Sequence, residues 1–234
     1  MRAVTGKRSD RPAWARSALA LIAGVVVAST AAFLKLADSV RESEFVVRVD
    51  RHALDLVRQH RVGWVSSAAR MVTPLGSGWV VAFVTAALAI ALTLRHRRID
   101  ALFITASVVG TAIAVAALKH AIGRSRPALP DRLVHATGAA FPSGHAAQSI
   151  ACYGAVAAIV VTASRSNRTR AFAFAGAVTI ALAVGASRVY LGVHWLSDVV
   201  SGWLIATGWL AALIGVRIAL YSPGRPPVRT GPAE

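Results

Sequence analysis

Six long stretches of the chain carry no Asp, Glu, Lys, Arg or His: residues 17–34, 71–94, 101–118, 146–164, 171–187 and 199–216. Each is between 17 and 24 residues long. A helix needs about 20 mostly apolar residues to cross a bilayer's hydrocarbon core, and about 17–25 are tolerated. The pattern therefore predicts an all-α polytopic membrane protein with six transmembrane helices. The alternative, buried helices of a soluble all-α protein, does not account for six such runs in one chain. Several runs are rich in Ala, Val and Gly, as in AFAFAGAVTIALAVGAS, and small side chains let helices approach closely.

The segment between the first two runs, about 39–70, breaks this pattern. Val49, Leu54, Leu56 and Val57 recur at helical spacing among Arg and Asp, which predicts an amphipathic helix lying at the membrane interface. The first run follows a basic stretch, as a signal peptide does. It exceeds the usual apolar region of about 7–15 residues and precedes no convincing cleavage site, so it is read as a retained span. Residues 1–13 and the Pro/Gly-rich stretch 221–234 are read as disordered tails, leaving 14–220 as a single six-span domain.

Composition agrees: 56% hydrophobic, 15% charged, mean hydropathy +0.58. The net charge of +16 falls in span-flanking loops. That places the partner at an anionic lipid surface and argues against nucleic acid. The single Cys152 lies within the fourth run, and its expected role is packing. Arg95, Arg97 and Arg98, Arg165, Arg168 and Arg170, and the basic residues near both termini must share one side of a six-span protein. The positive-inside rule assigns that side, with both termini, to the cytoplasm.

Three polar clusters then fall together on the opposite side. They are Lys119–Pro127 (KHAIGRSRP), Phe141–His145 (FPSGH) and Ser187–Asp198 (SRVYLGVHWLSD). Lys119, Arg126 and Arg188 supply three cations suited to a multiply charged anion. Pro142, Ser143 and Gly144 precede a helix; Pro142 suits a first helical position, and backbone N–H groups there favour an anion. Ser143 adds a hydroxyl, and Gly144 lets an oxygen approach the backbone. His194 and Asp198, four apart, share a helical face, so the carboxylate can orient the imidazole as a nucleophile. His145 is a second imidazole, suited to protonating a leaving oxygen. An amide at position 198 is expected to hold the ring nearly as well. Arg124 and His120 are read as interfacial anchors. No spacing suits a metal ion.

These residues resemble the signature of the phosphatidic acid phosphatase type 2 family. That signature is Lys119, six residues, Arg126-Pro127; then Pro142-Ser143-Gly144-His145; then Ser187-Arg188, five residues, His194, three residues, Asp198. The likeness covers about residues 45–215. It implies a metal-free, cofactor-free hydrolase in the cell membrane. His194 would form a phosphohistidine, Asp198 would orient it, and His145 would protonate the leaving group and later activate water. Lys119, Arg126, Ser143, Gly144 and Arg188 would hold the phosphoryl oxygens. The implied substrate is a lipid phosphate or pyrophosphate of the phosphatidate, phosphatidylglycerophosphate or polyprenyl type. Two other readings remain open: a vanadate-dependent haloperoxidase, which shares the site, and a non-catalytic lipid-binding or transport protein.

Overall fold

The computed structural model describes residues 12–221, and every regular element in that range is helical. The two tails read as disordered lie outside the described residues, apart from Pro12, Ala13 and Tyr221. The first helix, α1 (Ala13–Glu42), starts after Pro12 and runs well beyond the uncharged stretch, carrying Lys35 and Asp38 within it. Then come α2 (Glu44–Gln59), α3 (Gly63–Val72), a 3-10 turn (Thr73–Gly76) and α4 (Gly78–Leu94). The second half holds α5 (Arg98–Ile122), α6 (Gly144–Ser149), α7 (Ala155–Ala163), α8 (Asn167–Tyr190) and α9 (Leu196–Tyr221). A π turn, Ile150–Gly154, joins α6 to α7, so Gly144–Ala163 is one continuous helical run.

Five helical stretches are long and apolar enough to cross a membrane, and the bent pair Gly63–Gly76 with Gly78–Leu94 supplies a sixth, angled by 49°. The second expected span is thus a 17-residue helix, α4, entered through a turn that contains Pro74. The expected amphipathic helix is two, α2 and α3, separated at His60–Val62.

Large apolar side chains point outward: Trp79, Phe83 and Leu94 on α4 and Phe172 and Phe174 on α8 are all exposed. In water this would be a failure of burial; against lipid it is the expected surface. The interior instead uses small residues. Helix α1 packs along α9, with Gly208 against Ser29 and Gly215 against Ile22. Ala147 of α6 packs with Val115 of α5 and Ala206 of α9. Phe141 is fully buried against Phe33 of α1, ring centroids 5.8 Å apart, and ties the loop before α6 to the first span. Among the described residues Cys152 is a free, buried thiol packed with Val81, Val108 and Ala151, as expected.

One close contact between backbones is at Gly202. A Cβ there would lie 2.5 Å from the Ser143 carbonyl oxygen, which is backbone and cannot swing away. Gly176 on α8 has nothing within 4 Å of that position. Gly202→Ala is therefore expected to lower the melting temperature in detergent, in line with an overpacking cost of about 1–3 kcal/mol. Gly176→Ala should be neutral or stabilising. Equal melting temperatures for the two variants would contradict this packing.

Candidate active site

Alternation of the helices puts four helix ends together. Lys119 sits in the last turn of α5, His145 in the first turn of α6, Arg188 in the last turn of α8 and Asp198 in the first turn of α9. His194 lies in the tight turn between α8 and α9. Gly192 shapes that turn: its φ is +69°, and a Cβ there would collide with the Asp131 carbonyl.

Backbone hydrogen bonds join the three clusters. The Ser143 N–H donates to the Asp198 carbonyl at 2.8 Å, and the Ala140 N–H donates to the Arg124 carbonyl at 2.8 Å. The Lys119 ammonium donates to the Ala139 carbonyl, and at 3.4 Å to that of Ala140. Arg126 is the main strap. Its Nε donates to Gly138 O at 3.0 Å, Nη2 to Thr137 O at 3.0 Å, and Nη1 to Val193 O at 2.7 Å. Nη1 also lies 3.1 Å from His194 Nε2.

The His194 ring is 2% exposed and held on both edges. Its Nδ1 is 3.3 Å from Asp198 Oδ2, and that oxygen also accepts the Trp195 N–H at 2.9 Å. A carboxylate only accepts and a guanidinium only donates, so these partners assign the neutral Nδ1–H tautomer. The Nε2 lone pair then faces Arg126. Burial pushes the ring's pKa down to about 4; Asp198 opposes this, while Arg126 and Arg188 add to it. The imidazole is therefore unprotonated at neutral pH, as a nucleophile requires.

Arg188 is buried. Its Nη1 donates to Thr73 Oγ1 at 2.8 Å, while its Nε has no hydrogen-bond partner among the described residues. Ser143 Oγ is likewise fully buried and unpartnered among them. Ser143, not Pro142, takes the cap position of α6, and Gly144 is the first helical residue, so Pro142 lies outside the helix. A Cβ on Gly144 would meet only Val115 within 4 Å, at 3.7 Å. Unpaired buried donors are costly, and an anion bridging Ser143, Arg188 and the free N–H groups of the α6 start would satisfy them. His145 is half-buried in the first turn of α6. Its backbone carbonyl packs against Gly76 of the same turn that holds Thr73.

Arg124 is not the interfacial anchor that the sequence suggested. Its side chain is 13% exposed and lies between two carboxylates, with Nη1 2.6 Å from Asp198 Oδ1 and Nη2 2.7 Å from Asp50 Oδ2. Asp50 belongs to the amphipathic α2 and is 2% exposed. It also accepts the Ser197 N–H at 2.9 Å. Thr73 and Asp50 had no signal in the motifs. The one hint was an Asp beside apolar positions on an amphipathic helix, a pattern that suits a solvated face equally well. His120 is exposed in the last turn of α5. Arg132 bonds the Pro127 and Ala136 carbonyls and so braces the loop between α5 and α6. No group of three or more His, Cys, Asp or Glu among the described residues has a metal-binding arrangement.

A helical membrane bundle with this cationic, histidine-bearing end is the form of one family. The chain belongs to the PAP2 superfamily, whose model matches residues 99–221. It is similar to phosphatidylglycerophosphatase B of Bacillus subtilis (strain 168), with 38% identity over 89 residues. That alignment spans 37% of this chain and 42% of the relative, so less than half of the curated relative's length is matched. Its fold resembles the crystal structure of the first transmembrane PAP2 type phosphatidylglycerolphosphate phosphatase from Bacillus subtilis. The TM-score there is 0.75 at 25% identity, covering 83% of this chain and 96% of that one. Aquifex aeolicus LpxE is more distant, a likeness of fold alone: TM-score 0.53, 23% identity, 72% and 94% coverage.

The burial of His194 has a direct check. With ¹⁵N-labelled histidine, and the His194 signal assigned by its loss in His194→Gln, the ring is expected to stay neutral as pH falls to about 5 and to protonate near 4. A midpoint at or above the ordinary value of about 6.5 would contradict the buried environment.

Proposed function

We propose that this chain is an integral membrane phosphatase that hydrolyses a lipid phosphate or pyrophosphate through a phosphohistidine, without a metal ion. The observation that carries the proposal is the His194 ring fixed between Asp198 and Arg126, in a site where the buried donors of Ser143 and Arg188 have no hydrogen-bond partner among the described residues. A phosphoryl group bound by Ser143, Arg188, Lys119 and the amide of Gly144 draws Arg126 Nη1 from Nε2 onto a phosphoryl oxygen. This uncaps the nucleophile as the substrate arrives. Nε2 attacks phosphorus, the bond to the leaving oxygen breaks, and His145 gives that oxygen a proton. Asp198 keeps the Nδ1 proton and stabilises the charged ring. Water, giving a proton back to His145, then attacks phosphorus, the N–P bond breaks and inorganic phosphate leaves. Positioning and charge stabilisation do most of this work.

The site lies on the extracytoplasmic face of the cell membrane, with both termini in the cytoplasm. The support is the clustering of Arg95, Arg97, Arg98, Arg165, Arg168 and Arg170 at the other end of the bundle. Phosphatidylglycerophosphate is the first substrate to try, because the Bacillus subtilis relatives bear that activity in their names. Phosphatidate and polyprenyl pyrophosphate follow.

The test is phosphate release in detergent from that panel. Turnover is expected to survive EDTA, and His194→Ala is expected to lose about 10³-fold or more while the protein still folds. Asp198→Asn, expected from sequence to be mild, is now expected to cost about 10²-fold or more. Both carboxylate oxygens meet donors, so an amide NH₂ faces an N–H whichever way it turns. A requirement for an added divalent ion, or near-normal turnover in His194→Ala, would overturn the mechanism.

A further inference from the structure

We propose that Arg124, itself held by Asp50 of α2, is a positioning residue for this reaction: it fixes the Asp198 carboxylate so that the second oxygen keeps His194 in its Nδ1–H tautomer. The kinetic part of the inference rests on the phosphatase reading, and the tautomer part on geometry alone.

Asp198 is fully buried and Asp50 nearly so. Two carboxylates brought this close and out of water repel one another unless a cation lies between them. Arg124 is that cation, and its fork suits the task. One Nη meets Asp198 Oδ1 at 2.6 Å and the other meets Asp50 Oδ2 at 2.7 Å. Ser197 closes the ring: its Oγ accepts from Arg124 Nη1 at 2.7 Å and donates to Asp50 Oδ2 at 2.5 Å. Trp195 confines the guanidinium from its face, with the ring centroid 5.7 Å from Cζ, and anchors its own indole N–H on the Ser125 carbonyl at 2.9 Å.

The direction of these bonds separates Arg124 from the other cations. Its two terminal nitrogens are committed to carboxylates on the Asp198 side of the imidazole, whereas Arg126 stands on the Nε2 side. Arg124 therefore acts on His194 through Asp198 and does not grip the phosphoryl group. With Arg124 absent, Asp198 Oδ1 would be a buried charge with no cationic partner. The Trp195 N–H holds only Oδ2, so the carboxylate plane would be free to turn away from Nδ1. Lysine is a poor replacement, because a single ammonium cannot present two divergent donors in one plane. The arrangement also ties the helix that follows the first span to the reacting ring through one side chain.

The experiment compares wild type, Arg124→Ala, Arg124→Lys, Asp50→Asn and the double variant Arg124→Ala/Asp50→Asn. Turnover is measured on micellar phosphatidylglycerophosphate, and the His194 tautomer by ¹⁵N chemical shifts of labelled histidine. The expected result for Arg124→Ala is a fall in kcat of about 30-fold or more with KM within about threefold, and a mixed His194 tautomer. Arg124→Lys should fall between it and wild type, and Asp50→Asn should act in the same direction but less. The double variant should be no worse than Arg124→Ala, since both act through one carboxylate. The proposal is overturned by a kcat within threefold of wild type, by a loss that resides in KM, by multiplying effects, or by a tautomer that stays pure. Should Arg124→Ala fail to fold, Arg124→Lys and Asp50→Asn carry the same readouts. Should wild type release no phosphate from any lipid, the phosphatase reading fails and the tautomer measurement still decides this one.

Discussion

Asp198 is the joint on which the site turns. Its backbone carbonyl accepts the Ser143 N–H, which seats the start of α6 against the start of α9. One side-chain oxygen takes Arg124 from the loop after α5, and the other takes the His194 ring and the Trp195 N–H. Three separated stretches of chain thus converge on a single residue with no exposed surface. A carboxylate is suited to this because it accepts from several donors at once and carries the charge that attracts a guanidinium. In a bundle whose helices cannot gain from the hydrophobic effect against lipid, such polar contacts and close packing must set the geometry.

The rest of the fold follows from keeping that joint dry and tight. Gly202 lets α9 approach the Ser143 carbonyl, and Ala147 and Ala206 keep α6 near α9. The turn Thr73–Gly76 bends the second span, and in doing so it places Thr73 on Arg188 and Gly76 against the backbone of His145. The bend is therefore part of the site's support. Cationic charge is divided by function. Arg124 is matched by two carboxylates, while Lys119, Arg126 and Arg188 are left in excess where an anion would sit.

Much of this was legible in the sequence, for identifiable reasons. Uncharged runs of 17 or more residues mark spans because the bilayer's thickness sets a minimum length. His194 and Asp198 were readable as a pair from their spacing, and the structure joins them, although His194 lies in the turn before α9 and not on a shared helical face. The convergence of the three clusters followed from helix count alone. What escaped was everything that depends on partners far apart in the chain. Arg124 looked like any basic residue at a span end, and nothing local reveals that Asp50, 74 residues earlier, lies against it. Asp50 in turn read as the polar side of a surface helix, since an amphipathic pattern shows which face is apolar but not which polar residue is buried. Pro142 as the first helical residue was a propensity argument; Ser143, whose N–H is held by the Asp198 carbonyl, takes the cap instead, and the helix starts two residues later, at Gly144. Arg126 was expected only as a phosphate ligand; its bonds to the Thr137, Gly138 and Val193 carbonyls make it a brace for the loop as well.

The central claim is that a buried, neutral imidazole at position 194 attacks phosphorus. The most direct measurement is rapid acid-free quenching of the purified protein during turnover of a lipid phosphate, followed by mapping of covalent phosphate by mass spectrometry. The account predicts phosphate on His194, labile in acid and stable in base, and none in His194→Gln. A phosphorylated residue elsewhere, or turnover with no covalent phosphate under any quench, would contradict it.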